Sequence, residues 1–409
     1  MVSIMHTIER PSKSEEVKKF QLKSAIIKGY EYTKTYYHME NGVPIKSDKG
    51  NDGDLTVIHI SRPADKQKPR RAFVFSEGYI GAERSYNDDG TKRKSIARKN
   101  CFGIEYLIKY IENGEKYADD FYVVFLSDKE KSENQADLFA KVIQDVSKED
   151  NKSTYLWCHS KAGLMALRAF QKLRETGNSE QVLKKVKAII TSMPTKGLDS
   201  VNRPRMINNL NNNKILNVLP FSGFMKTAIL KIYDKYLYKP TPAQVDLKAP
   251  EQQDSKIQEH ALLVEPTGAK KIWDRIMGKE AFRKQVRQEK QVDSDVGYVG
   301  RVMSDENMDK ISDINFKVLP VEINFKDALD SLVKHAQLMP FILYAKKALS
   351  SKDRGDGIVT MENQGIDNQK LKFQKEIVVH STHDIPTRPE ALKTVSDELI
   401  KDDDSFNER

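Results

Sequence analysis

Four short apolar runs separated by longer mixed segments constrain this chain more than any other feature: "AFVFSEGYIG" (72–81), "FYVVFLSD" (121–128), "TYLWC" (154–158) and "AIITSMP" (188–194). Runs of this length without polar alternation mark strands buried on both faces. Helical stretches between them let successive strands run parallel, so the pattern predicts a mostly parallel sheet with helices on both faces. One such stretch, "FGIEYLIKYIENG" (102–114), sets Ile104, Leu107, Ile108 and Ile111 on one helical face and stops near Gly114. Another, "SENQADLFAKVIQDV" (132–146), opens with Ser132 and Gln135 at capping-box spacing. Upstream, "YEYTKTYYHM" (30–39) and "LTVIHISRP" (55–63) flank a Gly/Asn/Asp-rich connection and predict an antiparallel pair.

The rhythm stops at about Gly197 and gives way to Asn-rich, Pro-containing and basic stretches. It resumes with "MPFILYA" (339–345), "KEIVVH" (375–380) and a last helix around 388–400, where Leu392, Val395 and Leu399 share a face. The chain of 409 residues exceeds what one core usually holds. It divides into a polar arm (1–22), a first core part (23–196), an insertion (197–336), a second core part (337–400) and a mobile acidic tail (401–409).

Several functional classes drop out on composition. The 68 basic residues exceed the 59 acidic ones by only +9, so where the charge lies matters more than its sum. Cys101 and Cys158 are the only cysteines, too few for a disulfide framework or a thiolate zinc site, and they suit a reducing compartment. The N-terminus lacks a secretory signal pattern and no run of about 18 apolar residues exists, so the expectation is a protein without a membrane span, cytoplasmic or delivered into a host cell without a signal peptide. "GYIGAE" lacks dinucleotide-binding glycine spacing, and neither a phosphate-binding loop nor an HExxH pattern occurs. No cofactor and no metal are expected. "KKIWDRIMGKEAFRKQVRQEK" (270–290) is basic but has only Trp273 and Phe282 as aromatics, which suits a solvated helix face better than nucleic acid.

The stretch "YLWCHSKAG" (155–163) passes from buried strand to helix with no loop, and Ser160 stands on the change. A serine there projects above the sheet edge while the N–H groups of the following helix aim at the same point, suited to negative charge on a substrate oxygen. The usual written form of such a turn is GxSxG, because its flanks pack tightly; here Cys158 and Ala162 occupy those positions and are also small. The bland alternative is that Ser160 caps a helix.

A nucleophilic serine needs a base and an acid to orient it. His159 would point away from the turn; His6, His38 and His59 precede the parallel strands, and His260 and His335 lie in the insertion. That leaves His380 and His383 in "EIVVHSTHDIPTRPE", of which His383 lies in the loop after the last apolar run and His380 is nearer the strand. For the acid, Asp356 sits in a Gly-flanked turn within "SKDRGDGIVTMENQGI" (351–366), with Asp353 as alternative. Serine, acid and histidine in that chain order, each after a strand of one sheet, form one constellation.

These residues resemble the lipase and esterase branch of the α/β-hydrolase superfamily, over about 24–196 and 337–400. "DGIV" (356–359) is similar to that branch's acid turn, and "HDIP" (383–386) to the segment at its base. The resemblance implies a triad of Ser160, Asp356 and His383, an oxyanion hole from the backbone N–H groups of Lys161 and Tyr79, and a cap or lid in the insertion. Lipases commonly carry His-Gly where this chain has Glu77-Gly78. It also implies an ester hydrolase acting on lipid-like substrates; a catalytically silent scaffold and an acyltransferase with the same nucleophile stay open. In the insertion, "NKILNVLPFSGFMKTAILKIYDKYLYK" (213–239) combines apolar residues with five lysines in Lys214, Lys226, Lys231, Lys235 and Lys239, opposed only by Asp234, as a segment resting on an anionic membrane would, though packing of the insertion onto the core is the better account of the apolar residues. The Lys/Asn-rich composition is similar to lipase-like effectors that intracellular bacteria such as Legionella deliver by type IV secretion.

Overall fold

The computed structural model describes most of residues 31–61, 70–78, 120–198, 207–236, 272–286, 297–323, 355–365, 371–383 and 389–401, together with 246–247. The segments 1–22, 102–114, "MPFILYA" (339–345) and 402–409 lie outside the described residues.

Among the described residues, eight strands form one sheet. In chain order they are β1 (Glu31–Glu40), β2 (Val43–Ser47), β3 (Leu55–Ser61), β4 (Arg70–Glu77), β5 (Asp120–Phe125), β6 (Asn151–His159), β7 (Val186–Thr191) and β8 (Asn315–Leu319). They lie in the order β2-β1-β3-β5-β4-β6-β7-β8. β1 pairs antiparallel with β3, as its sequence predicts, and β3 antiparallel with β5. From β5 through β4, β6 and β7 to β8 every pairing is parallel. β2 fills the connection between β1 and β3: Asn41 and Gly42, both at positive φ, make a two-residue turn whose twist matches the hairpin it closes.

Alternate side chains of the central strands point to opposite faces, and both faces are apolar. On one, Tyr122, Val124, Leu156 and Cys158 pack against α1 (Ser132–Lys148) and α2 (Lys161–Glu175). On the other, Phe121, Val123, Tyr155 and Trp157 meet Val395 and Leu399. Those two belong to the last helix, Pro389–Ile400. Helices therefore cover both sides of a mostly parallel sheet, the arrangement of the α/β-hydrolase fold. Leu392, expected on the same face, has a side chain outside the described residues.

Three details differ from expectation. The capping box at the start of α1 does not form: Ser132 is already helical, its N–H donates to Asp246 Oδ2 at 2.7 Å, and Gln135 Nε2 donates back to the Glu130 carbonyl at 2.8 Å. The stretch read as an insertion, 197–336, contributes β8 to the main sheet. β8 pairs with β7 on one side, and on the other Val318 N–H donates to the Lys372 carbonyl and the Val318 carbonyl accepts from Gln374 N–H; with Asn315 exposed and Lys317 half-buried, "NFKVL" lacks the continuous apolar signature of its neighbours. Among its described residues "KEIVVH" pairs only at its end, where β10 (Val379–His380) lies parallel to β9 (Val321–Glu322). Gln374 N–H bonds to the Val318 carbonyl and Val379 N–H to the Pro320 carbonyl, and 376–378 between them belong to no strand. Pro320 has no N–H to carry the ladder through.

A short helix, α3 (Glu180–Lys185), precedes β7; within the former insertion, Leu230 of α5 (Ser222–Tyr236) and Phe282 and Val286 of α6 (Lys279–Val286) form a small apolar cluster with Ile207 and Leu210, and Leu216 of α4 (Lys214–Val218) packs against it. The start of α5 meets the turn before α6 backbone to backbone. Gly223 N–H donates to the Met277 carbonyl at 3.0 Å, and a side chain on Gly223 would collide with Gly278.

Candidate active site

The strand-to-helix change at residue 160 takes a single residue. β6 ends at His159, α2 begins at Lys161, and Ser160 between them has φ 57° and ψ −128°. A non-glycine side chain there is strained, and strain of this kind persists only where the surroundings dictate it. They do so here: Ser160 N–H donates to the Thr191 carbonyl at 2.9 Å, and the Ser160 carbonyl accepts from Gly163 N–H at 2.9 Å. The neighbours leave no room for a larger turn. Cys158 and Ala162 are fully buried, and a Cβ on Gly163 would lie 2.5 Å from Ile190 Cγ2. A Cβ on Gly78, just past β4, would lie 2.7 Å from Ser160 Cβ and 3.0 Å from its hydroxyl oxygen. This backbone approach sets the end of β4 against the serine, at the carboxyl ends of parallel strands where ligands of such sheets bind.

His383 faces Ser160 from the other side. Its Nε2 lies 3.0 Å from Ser160 Oγ and its Nδ1 2.7 Å from Asp356 Oδ2. The Asp356 carboxylate is buried, which by itself would raise its pKa. The facing His383, then Ser192 and the Val359 N–H, outweigh that and hold it below the ordinary carboxylate value. An ionised carboxylate only accepts, so Nδ1 carries the ring proton and Nε2 is left to accept from the serine hydroxyl.

The acid is held by its own loop. Its Oδ1 accepts from Val359 N–H at 2.8 Å, and its carbonyl accepts from His383 N–H at 2.9 Å. Gln364, fully buried, ties this loop to β9: its Oε1 accepts from Val321 N–H at 2.8 Å while its Nε2 donates to the carbonyls of Val321 and Val359. Ser192, another non-glycine residue at positive φ, adds a buried hydroxyl beside the carboxylate, short of full hydrogen-bond geometry with any described residue.

The structure thus brings Ser160, His383 and Asp356 together. Lys161 is the first residue of α2, directly after Ser160. Tyr79 and Asp353 lie outside the described residues, as does the side chain of Glu77. His380 sits on β10 with its ring exposed. His159, set aside as a base, is buried beside the site with its ring centre 4.8 Å from that of His383. The Cys158 thiol is buried and its pKa pushed up, so it stays protonated and unreactive. Among the described residues no three His, Cys, Asp or Glu side chains gather to hold a metal ion.

Sequence reasoning missed the contributions of Gly78, Thr191 and His159. Gly78 adjoins the predicted oxyanion segment, which was a usable signal; Thr191 reads only as the end of a strand.

No family model matches the sequence, and no curated protein matches it. Similar solved structures include a Bacillus licheniformis lipase in mature form (13% identity, 86% of this chain and 99% of that one, TM-score 0.42). Est1E from Butyrivibrio proteoclasticus is similar at 12% identity over 92% of this chain and 100% of that one, TM-score 0.38. Esterase B from Lactobacillus rhamnosis is similar at 9% identity over 95% and 94%, TM-score 0.37.

Proposed function

We propose that this protein is a serine hydrolase of carboxylic esters, with Ser160 as nucleophile, His383 as base and Asp356 as the group that orients it. The observation that supports this is His383 spanning from the Ser160 hydroxyl to a buried carboxylate at hydrogen-bond distances, with the serine in a strained one-residue turn. His383 Nε2 takes the hydroxyl proton as Oγ attacks the acyl carbonyl. The negative charge forming on the carbonyl oxygen falls to backbone N–H groups, that of Lys161 among them. The imidazolium gives its proton to the departing alkoxide, leaving an acyl-serine. Water, deprotonated by His383, then attacks the ester, and the carboxylic acid leaves as Ser160 recovers its proton.

The test is reaction with a fluorophosphonate probe. The wild-type protein is expected to label and Ser160→Ala not to; unreactive, folded wild-type protein overturns the proposal.

The substrate we assign is lipid-like, met at an anionic surface. The supporting observation is a group of large apolar side chains exposed at the α4–α5 turn and before α6: Val218, Phe221, Phe224, Met225, Ile272 and Ile276. Phe224 packs its ring on Gly278, which joins the two segments. Helices α5 and α6 also carry the exposed Lys231, Lys279 and Lys284, and Glu280 is engaged by Arg275 at 2.9 Å. Exposed apolar side chains on segments that also carry exposed cations suit the boundary of an anionic bilayer. Co-sedimentation with phosphatidylglycerol vesicles, absent with phosphatidylcholine and lost on replacing Phe221 and Phe224 by Ser, is expected; equal binding to both lipids or to neither counts against this assignment. No helix among the described residues is long and apolar enough to cross a membrane.

A further inference from the structure

The base-bearing residue His383 has four polar groups, and three of them have been accounted for: both ring nitrogens and the backbone N–H. The fourth is its carbonyl, which lies 2.7 Å from Nε2 of His159. His159 Nδ1 lies 3.1 Å from Thr191 Oγ1, and Thr191 Oγ1 lies 3.0 Å from Trp157 Nε1. Trp157, His159 and Thr191 are all buried.

The direction of this chain of hydrogen bonds follows from its donors and acceptors and from the burial of His159. An indole N–H only donates, so Thr191 Oγ1 accepts from Trp157. A carbonyl only accepts, so His159 Nε2 must carry a proton. Burial, and then the proximity of His383, lower the His159 pKa to about 3, so the ring is neutral and holds one proton only. Nδ1 is therefore bare and accepts the Thr191 hydroxyl proton.

We infer that His159 is a positioning residue for the proposed reaction: a neutral imidazole, protonated at Nε2, that clamps the backbone carbonyl of His383. Trp157, Thr191 and His159 lie at the ends of β6 and β7, so the clamp anchors the His383 turn to the rigid centre of the sheet. Neutrality matters as well as the bond. When His383 takes the serine proton it becomes a cation with another imidazole 4.8 Å away, centre to centre. A charged clamp there would oppose that step, and an uncharged one does not.

This inference rests on the proposed hydrolase in its kinetic half and is independent of it in its structural half. His159→Gln retains an amide N–H that reaches the carbonyl, whereas His159→Asn is too short and His159→Phe has no donor. Expected are labelling and ester turnover within about threefold of wild type for Gln. For Asn and Phe, kcat falls by about 10–100-fold with KM within about twofold, as for a reacting group displaced by a fraction of an ångström. Thermal melting identifies any variant that fails to fold, and the Gln/Asn pair alone carries the comparison if Phe does not.

The structural half is read by nitrogen-15 NMR of the histidine rings in the full-length protein. One ring should remain in the neutral Nε2–H form from pH 5 to 8 and vanish in His159→Gln. A folded Asn variant with wild-type kcat overturns the kinetic half, and an Nδ1–H or charged His159 at pH 6 overturns the structural half. Unlabelled wild-type protein overturns the hydrolase together with the kinetic half, while the ring's protonation still decides the clamp.

Discussion

At the scale of single residues, the site depends on what is absent as much as on what is present. Gly78 has no side chain where a methyl group would meet Ser160 Cβ at 2.7 Å and its hydroxyl oxygen at 3.0 Å. Gly78→Ala is therefore expected to displace the serine and cut kcat/KM by about 100-fold or more, while costing stability only about 1–3 kcal/mol as overpacking does. Ester turnover and urea denaturation check the two halves. Asp356→Asn keeps the shape but presents either an amide donor or a weaker neutral acceptor to His383, and the ring loses the partner that fixes its tautomer. A drop of about 10⁴-fold in kcat is expected, with labelling by the fluorophosphonate slowed in parallel. Ser160 was legible in the sequence because its turn is local: small flanking residues and an abrupt change from strand to helix announce it. Whether Asp353 or Asp356 serves as acid was not legible, because two aspartates in one loop have the same chemistry and differ only in where the loop folds.

Among elements, α1 and α2 are joined by a charged seam. Glu133 accepts from Arg168 at 2.8 Å and from Lys172 at 2.9 Å, and Lys172 also reaches Asp137 at 3.0 Å. Burial alone would raise the Glu133 pKa, but these two cations outweigh it and lower it from 4.5 to about 2. Because the folded value lies below the unfolded one, the resulting stability is present above about pH 4.5 and lost as pH falls toward 2. Glu133→Gln should cost on the order of 2–3 kcal/mol at pH 7, a gap that narrows at pH 3; guanidinium unfolding at both values measures it. The acid loop has its own fastener. Gln364→Leu leaves the buried N–H and carbonyl of Val321 without this partner, so a loss of about 2–4 kcal/mol is expected by the same measurement. Helices α1 and α2 were legible from local apolar patterning and strands β4–β7 from continuous apolar runs of strand length, each a signal carried by residues close in sequence. The capping box failed because Asp246, 114 residues along the chain, supplies a stronger acceptor for the Ser132 N–H. β8 was hidden because a five-residue strand that carries Asn315 and Lys317 and ends just before Pro320 shows no continuous apolar run.

For the whole molecule, the buried His159 couples the site to acid stability. Its pKa is about 3 in the fold against an ordinary 6.5, so below pH 6.5 the unfolded chain binds a proton that the folded one refuses. Stability should fall as pH drops from about 6.5 toward 3, and His159→Gln should flatten that slope by up to about one proton, read from denaturation midpoints across pH 5–7. Even so, the general plan was present in the linear chain. Apolar runs of strand length, helical stretches between them, and Ser, Asp and His in that order depend on residues close together in sequence, because periodicity and turn formation are local. The convergence of Ser160 with His383, 223 residues apart, was decided only by the sheet. Parallel pairing stacks the strand ends at one edge whatever length of chain connects them, and which loops meet there follows from the strand order. The same pairing turned His159 from a bystander of the serine into a partner of the histidine, a relation that no spacing in the sequence encodes.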